Sequence, residues 1–259
     1  MAYYDQHLHT YFSFDSQADW AAYLKQTSLP IVTTEHLEFA NPDDAGRDDA
    51  PDYAAYVATA KQLRQQFPNQ ILLGIEVGYF APVADQIRAY LAHNDYDLTL
   101  LSFHHNGQYD YQNAYFTTLD PKQYVQAYYE SMLAGVRAVD YADVLAHFDY
   151  GLRVLAITPE QLTAWAKPLI QAIFKVIINK NMALEINTKS MYRWENADLY
   201  ATVIPWYQEL GGQRFTLGSD AHTVDKYAHG FKEAQAMLHQ FNVSQLVTYH
   251  QHQATMVQF

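Results

Sequence analysis

The sequence contains no cysteine among its 259 residues. Disulfides, zinc thiolates, iron–sulfur clusters and cysteine nucleophiles are therefore excluded. Basic residues are also few, because 16 lysines and arginines stand against 28 aspartates and glutamates, and the formal net charge is -12. Proteins that grip nucleic acid through its phosphates usually carry a basic face. No nucleic-acid partner is therefore expected.

Long apolar runs are absent as well. The most apolar stretch, residues 168–178, includes Gln171 and Lys175 and is too short to cross a bilayer. The N-terminal residues lack the basic and apolar regions of a secretory signal. We therefore expect no membrane association, and the sequence predicts a cytoplasmic protein. Its 49% of apolar residues indicates a globular chain with a sizeable core.

Short apolar runs alternate with longer segments of helical periodicity. Strands are predicted over 3–8, 31–34, 71–77, 98–103, 144–146, 183–186 and 215–217. Helices are predicted over 18–27, 53–67, 83–93, 123–139, 158–179, 197–210 and 231–241, with the C-terminal part helical. Such alternation predicts an α/β fold of one domain over 1–259, with a parallel sheet closed into a barrel. The acidic segment 38–52 is predicted to be a long loop near the mouth of the site.

Side chains that bind metals lie at the C-terminal ends of the predicted strands. In chain order these residues are His7 and His9, Glu35 and His36, Glu76, His104, His147, Glu185 and Asn187, then Asp220 and His222. Each of these residues, taken alone, is equally well explained by a structural role. His105, which is adjacent to His104, is an alternative to it as a ligand. Because the C-terminal strand ends of a parallel barrel share one face, the whole set predicts a metal site there.

The spacing of the first and last motifs supports this prediction. In His7-Leu8-His9 the two imidazoles point to the same side of a strand. Asp220-Ala221-His222 repeats the arrangement after the last strand. Imidazole and carboxylate ligands without sulfur suit zinc, manganese or iron, and a carboxylate such as Glu76 can bridge two metals.

The motifs resemble those of the PHP (polymerase and histidinol phosphatase) superfamily. The matching stretches, in the family's order, are His7-Leu8-His9-Thr10, Thr34-Glu35-His36, Gly74-Ile75-Glu76-Val77, Ser102-Phe103-His104, Ala146-His147-Phe148-Asp149 and Gly218-Ser219-Asp220-Ala221-His222. They span nearly the whole chain. Within the superfamily the sequence is most similar to the stand-alone histidinol-phosphatases, in its size and in the strand 184–188.

The resemblance implies a distorted (β/α)7 barrel with three divalent metals. By motif, the first metal would be held by His7, His9, Glu76 and Asp220, the second by Glu76, His104 and His147, and the third by Asp15, His36 and His222. Asp15 enters only through the resemblance, since an aspartate in a loop is usually a turn former. The activity implied is hydrolysis of L-histidinol phosphate, a step of histidine biosynthesis.

The metals of such a site would generate the nucleophile and stabilise the phosphoryl oxygens. Three residues are open as the group that assists the leaving alkoxide: Glu35, Asp220 and His222. Three cations that follow predicted strands are candidates to bind the phosphate: Arg153, Arg193 and Lys189. Carboxylates of Glu185 and of the acidic segment would favour a cationic substrate.

Three alternatives remain at this level. The first is a PHP phosphoesterase acting on a nucleotide or another small phosphate ester. The second is an amidohydrolase, which is disfavoured because no lysine occupies a predicted strand end to serve as the usual carboxylated ligand. The third is a non-catalytic metal-binding module, and the full set of ligands argues against it.

Overall fold

The computed structural model describes residues 3–67 and 71–259. A seven-stranded sheet in these residues has the order β2-β1-β3-β4-β5-β6-β7. The strands are β1 (Ile31–Asn41), β2 (Arg47–Asp49), β3 (Ile71–Gly78), β4 (Leu98–Ser102), β5 (Val144–Leu145), β6 (Ala183–Asn187) and β7 (Phe215–Gly218). All neighbours are parallel except β1 and β2. The prediction of an α/β fold with a parallel barrel sheet is confirmed.

Eight helices accompany the strands in the described residues. They are α1 (Trp20–Leu24), α2 (Tyr53–Gln66), α3 (Ala84–Leu91), α4 (Pro121–Ala138), α5 (Pro159–Asn179), α6 (Thr188–Arg193), α7 (Ala197–Glu209) and α8 (Phe231–Gln240). The start of α5 follows the predicted capping box, in which Thr158 and Gln161 bond each other's backbone N–H. The sequence did not predict α6, which Asn187 caps by accepting a hydrogen bond from the Ser190 N–H.

The segment 3–9 closes the barrel between β1 and the chain that follows β7. Its hydrogen bonds run from Thr34 N to Leu8 O at 2.8 Å and from His9 N to Ala221 O at 2.8 Å. The prediction of a regular strand over 3–8 is wrong, because only Leu8 forms a bridge. The side chains of Asp5 and Gln6 bond other elements: Asp5 accepts from Ser219 N, and Gln6 donates to Val247 O.

The predicted loop 38–52 is instead an edge hairpin. Strand β1 continues to Asn41, and the chain returns as β2. Asn41 accepts a hydrogen bond from Asp43 N at 2.9 Å, and Ala45 has a φ of 54°, so the chain turns within a few residues. The segment is polar because β2 lies at the exposed edge of the sheet.

A second hairpin closes the end of the barrel opposite the C-terminal strand ends. It consists of β8 (Gln245–His250) and β9 (Gln253–Gln258), where the sequence predicted helix. Val247 and Tyr249 of β8 pack on the apolar residues at the beginnings of the barrel strands, such as Val32 and Val144. Gln6 holds this hairpin by donating to Val247 O at 2.8 Å and accepting from Tyr249 N at 2.8 Å.

The turn of this hairpin is tied to the barrel by a histidine. His252 Nδ1 lies 2.7 Å from a carboxylate oxygen of Asp143, which also accepts a hydrogen bond from Thr99 N at 2.8 Å. The hydrogen bond to Asp143 raises the pKa of His252. A raised folded-state pKa stabilises the protein fully below the unfolded value of about 6.5, and this contribution is lost as pH rises through the folded pKa.

His252→Gln is therefore expected to lower the free energy of unfolding at pH 6 and to have little effect at pH 9. The loss in unfolding free energy at pH 6 should be under about 1 kcal/mol, because the His252 side chain is 46% exposed and solvent screens its ion pair with Asp143. Urea unfolding at the two pH values measures it. His93→Gln is the control, since that ring bonds the backbone carbonyl of Ala89. An equal loss at both pH values would contradict the prediction.

In the part of the chain that the structure describes, none of the helices is long and apolar enough to span a membrane. The longest, α5, covers 21 residues, among them Lys167 and Lys175.

Candidate metal centre

Glu76, at the C-terminal part of β3, lies at the centre of a cluster of histidines. Its side chain is buried. Five imidazole nitrogens lie within 3.3 Å of its two oxygens: those of His147 at 2.7 Å, His104 at 3.2 Å, His7 at 3.2 Å, His36 at 3.2 Å and His9 at 3.3 Å. Together with Glu76 these residues come from five segments of the barrel, namely 3–9, β1, β3 and the chain directly after β4 and β5, so only the closed barrel brings them together.

A second part of the cluster lies beside His36. Asp15 Oδ2 is 2.9 Å from His222 Nε2 and 3.4 Å from His36 Nε2. The ring of His9 lies 4.2 Å from the ring centres of both His36 and His222. The structure therefore brings Asp15 to the two histidines with which the family resemblance grouped it.

Asp220 borders the cluster on the side of β7. Its Oδ1 lies 3.7 Å from His9 Nε2 and 4.0 Å from His7 Nε2. The φ of Asp220 is 49°, in the left-handed region that non-glycine residues rarely adopt. Its N–H donates to His7 O at 2.7 Å, which holds this conformation and aims the carboxylate at the cluster.

The donor set fits divalent metals. Ligand atoms within 4.8 Å of one another form four sets among the described residues: His9, His36 and His222; His7, His9 and Glu76; His7, His147 and Asp220; and His36, Glu76 and His104. Buried polar atoms normally have hydrogen-bond partners. Here His7 Nε2, His9 Nε2, His36 Nδ1 and Glu76 Oε2 are buried without one, and all four point into the cluster.

Electrostatics favours ligand-competent charge states at Glu76 and His9, whereas at His7 and His104 the neighbouring carboxylates outweigh burial and raise the pKa of the imidazole. Burial opposes ionisation of Glu76, but the imidazoles of His7 and His104 outweigh it and hold the pKa of that carboxyl well below its usual range. Burial, together with His222 and His36, lowers the pKa of His9. An ionised carboxylate and a neutral imidazole are the forms that bind a metal.

Two cavities flank this cluster, and their charges differ. The basic cavity, of 600 Å³, is lined by Lys189, Arg193 and Lys226 together with Tyr192 and Trp194. The acidic cavity, of 320 Å³, is lined by Glu38, Asp43 and Asp110 together with Phe14 and Tyr150, and neither lysine nor arginine lines it. Asp15 and Gln112 border both cavities, so the cluster lies between them.

The three predicted phosphate-binding cations lie at different depths. Arg153 is 5% exposed and donates to Ser190 Oγ at 2.9 Å and to Asp220 Oδ2 at 3.2 Å. Lys189 Nζ lies 2.9 Å from Asp220 Oδ1, and both cations line the inner space between the ligands. Arg193 is exposed, lies over the ring of Trp194, and reaches only the basic cavity.

Two sequence predictions do not fit this geometry. Glu35, predicted as a catalytic residue, is fully buried behind His9 and accepts hydrogen bonds from Thr10 and Ser13. It lines neither flanking cavity nor the inner space. Glu185, predicted to attract a cationic substrate, bonds His7 Nδ1 at 2.6 Å instead. Glu185 faces the barrel interior behind His7. Glu35 alternates with His36 along β1 and lies on the other face of that strand, in register with Ile75.

The sequence also left three residues of the site unrecognised. Tyr150 lines the acidic cavity, and its hydroxyl donates to Asp110 at 2.9 Å and accepts from Gln112 at 2.6 Å. Tyr150 follows His147 by three residues, and its place beside that motif was the one available signal. Asp110 and Gln112 lie in the long loop after β4, where no periodicity distinguishes them.

The fold is a parallel α/β barrel, and its rim carries buried histidines and carboxylates whose ligand atoms lack hydrogen-bond partners. These two features together define a metal-binding α/β barrel protein. The family model described as PHP domain matches residues 5–189. The chain therefore belongs to the PHP domain family, as its motifs suggested.

Curated proteins and a solved structure show the same relationship over nearly the whole chain. The chain is 29% identical to a probable histidinol-phosphatase of Clostridium acetobutylicum, over 93% of this chain and 94% of that protein. It is 24% identical to the histidinol-phosphatase of Lactococcus lactis, over 95% of this chain and 93% of that protein.

The solved structure is that of histidinol phosphate phosphatase from Lactococcus lactis in complex with zinc, L-histidinol and phosphate. It has a TM-score of 0.87 at 22% identity and covers 97% of this chain and 98% of that one. The similarity in structure establishes the shared barrel fold. The zinc, L-histidinol and phosphate are properties of that protein.

Proposed function

We propose that the protein is a metal-dependent phosphomonoesterase that hydrolyses L-histidinol phosphate to L-histidinol and phosphate. The observation that carries the proposal is the cluster around Glu76, placed between a basic and an acidic cavity. Full-length similarity to proteins named histidinol-phosphatase supports the choice of substrate.

The residues of the cluster would hold three divalent metals, with zinc the first candidate because the related structure contains it. Their proposed ligands are His7, His9, Asp15, His36, Glu76, His104, His147, Asp220 and His222. Divalent metals in such a site supply Lewis-acid stabilisation of phosphoryl oxygens and an activated water near neutral pH. Manganese and iron suit the same nitrogen and oxygen donors.

Arg153 and Lys189 would bind the phosphate. They border the inner space next to the ligands, where a phosphoryl group would lie. The Arg153 guanidinium is held by Ser190 and stacks over the Tyr150 ring at 4.6 Å, so its orientation is fixed before substrate binds. A planar guanidinium of fixed orientation is well suited to a phosphate. Arg193 would act only at the rim of the basic cavity.

The acidic cavity would receive the cationic part of the substrate. L-Histidinol carries an ammonium group and an imidazole, and both gain from carboxylates and aromatic faces. Burial raises the pKa of the Asp110 carboxyl, and the nearby charge of Asp43 adds to this effect. A cation between these two residues would relieve their repulsion. Asp44, in contrast, bonds Arg47 and does not line the cavity.

The leaving alkoxide needs a proton, and two of the three predicted donors are poorly suited to supply it. Glu35 lies behind the histidines. Asp220 is ionised, because Lys189 and His7 outweigh its burial and hold its pKa well below the usual range. His222 lines the inner space and the basic cavity and is the remaining candidate, because a neutral ligand imidazole keeps one N–H on the ring nitrogen that does not hold the metal.

The test is phosphate release by metal-reconstituted protein from histidinol phosphate, beside nucleotides, sugar phosphates and p-nitrophenyl phosphate. We expect a strong preference for histidinol phosphate that His9→Ala abolishes. Activity spread evenly over the panel would retain a phosphoesterase and refute the named substrate. No activity with zinc, manganese or iron would refute the enzyme and favour a metal-binding module.

Asp110→Asn is expected to raise the KM for histidinol phosphate about tenfold and to leave that for p-nitrophenyl phosphate unchanged. Loss of one charged contact of about 1.5 kcal/mol gives this factor. Steady-state kinetics with both substrates measures it. Asp44→Asn is the matched control from the neighbouring hairpin and should change neither KM. An equal rise for both substrates would place Asp110 outside the leaving-group subsite.

A further inference from the structure

A carboxylate lies directly behind His104. His104 Nδ1 is 2.6 Å from Glu38 Oε2, while its Nε2 faces Glu76 Oε1 at 3.2 Å. The other oxygen of Glu38 lies 3.0 Å from His105 Nε2. A carboxylate only accepts hydrogen bonds, so Nδ1 of His104 must carry the proton. Nε2 is then the nitrogen that would ligate a metal, in place of its contact with Glu76.

The same arrangement occurs behind His7, on the opposite side of the barrel. His7 Nδ1 lies 2.6 Å from Glu185 Oε1, and its Nε2 faces Glu76 Oε2 at 3.2 Å. Glu185 Oε2 accepts hydrogen bonds from His147 N at 2.8 Å and from Asn187 Nδ2 at 3.2 Å. Both oxygens of this carboxylate are therefore fixed, and so is the ring of His7.

A third carboxylate acts on His9 through a serine. Ser13 Oγ donates to Glu35 Oε2 at 2.6 Å and lies 3.1 Å from His9 Nδ1. Because the single hydroxyl proton of Ser13 goes to Glu35, His9 Nδ1 must be the donor in the second contact. Glu35 is held in turn by Thr10, whose hydroxyl lies 2.7 Å from Oε1.

Two glycines make room for these carboxylates. A Cβ atom at Gly78 would overlap the carboxylate of Glu38, and one at Gly218 would overlap Glu185 Oε1. Both glycines end a strand of the barrel, β3 and β7. Any larger residue would push the carboxylate out of reach of its histidine. The close approach is therefore part of the local packing rather than a chance contact.

We propose that Glu38, Glu185 and Glu35 are positioning residues that fix His104, His7 and His9 in the tautomer whose Nε2 faces the metals. This inference rests on the proposed function, because it assumes that the cluster around Glu76 binds metal. Outer carboxylates that bond a ligand histidine typically contribute 10–100-fold to metal affinity. This role accounts for three buried glutamates, two of which, Glu35 and Glu185, line neither flanking cavity.

The test uses Glu38→Gln and Glu185→Gln, which keep the side-chain shape and change the charge and one acceptor. Zinc affinity is measured by competition with a chelator, and bound metal is counted by elemental analysis. Each variant is expected to bind zinc 10–100-fold more weakly. The visible spectrum of the cobalt-substituted protein should also change, because the geometry of the ligand histidine changes. Circular dichroism confirms that each variant is folded.

Asp143→Asn is the matched control, since it neutralises a carboxylate that bonds His252 at the far end of the barrel. It should lower stability without changing zinc affinity or the cobalt spectrum. Wild-type zinc affinity in the folded Glu38 and Glu185 variants would overturn the proposal. An equal loss in Asp143→Asn would also overturn it, because the effect would then be global.

These outcomes are distinct from failure of the proposed function. If the wild-type protein binds no metal, the metal centre itself is refuted, and the positioning role falls with it. If it binds metal and the variants weaken binding, but histidinol phosphate is not hydrolysed, the positioning role stands and the substrate assignment alone is refuted.

Discussion

Glu76→Gln is expected to lower kcat at least about 1,000-fold and to reduce the number of metals bound per chain. Both carboxylate oxygens of Glu76 face imidazole nitrogens, on one side His104 and His147 and on the other His7 and His9. Glutamine keeps the shape but replaces one oxygen with an amide nitrogen that cannot ligate a metal. Removing a single stabilising group from an active site already costs about 100- to 1,000-fold, and a bridging ligand serves two metals.

Phosphate release and elemental analysis on the same preparation measure both effects. Glu209→Gln, at the exposed end of α7, is the control for neutralising a glutamate and should retain full activity and metal content. A Glu76→Gln protein with its full metal content and a rate within tenfold of the wild type would contradict the bridging role.

Arg153→Met is expected to lower kcat/KM by about 100- to 1,000-fold for histidinol phosphate and for p-nitrophenyl phosphate alike. The two substrates share only the phosphate, and the guanidinium borders the space where that group would lie. The same change should lower the free energy of unfolding of the metal-free protein by about 3 kcal/mol. It leaves the buried Asp220 without one of its two cationic partners, and breaking a buried pair is costly.

Steady-state kinetics and urea unfolding without metal measure these two effects. Arg193→Met is the matched control, because Arg193 is exposed at the rim and should affect stability little. A loss confined to histidinol phosphate would mean that Arg153 contacts the leaving group. Unchanged kinetics with both substrates would exclude Arg153 from the substrate site.

Local sequence patterns determined much of the fold. The apolar run 71–77 reads as a buried strand because every residue of β3 is buried on both faces of a parallel sheet. The capping box at Thr158 fixed the start of α5, since its hydrogen bonds join residues three apart. The prediction of secondary structure was wrong where strands pair through contacts that local sequence patterns do not reveal. The polar hairpin of β1 and β2 was predicted as a loop, and the C-terminal hairpin as helix.

The candidate ligands could also be predicted from local sequence patterns. His7, Glu76 and Asp220 each lie at or next to the end of a predicted strand, and the rule that parallel strand ends share one face needs no coordinates. Asp15 was reached only through the family motif, because it lies in a loop whose position depends on contacts with His36 and His222.

The sequence by itself determined the alternation of strands and helices, the absence of sulfur ligands, and the order in which histidines and carboxylates reach the rim. Only the tertiary structure decided which carboxylates face the substrate and which stand behind the histidines. Glu35 and Glu76 are both glutamates near a strand end, yet Glu35 bonds Ser13 behind the cluster and Glu76 lies at its centre. Which side chains meet at the rim depends on the closure of the barrel, and that closure joins segments more than 200 residues apart, as Leu8 and Ala221 do.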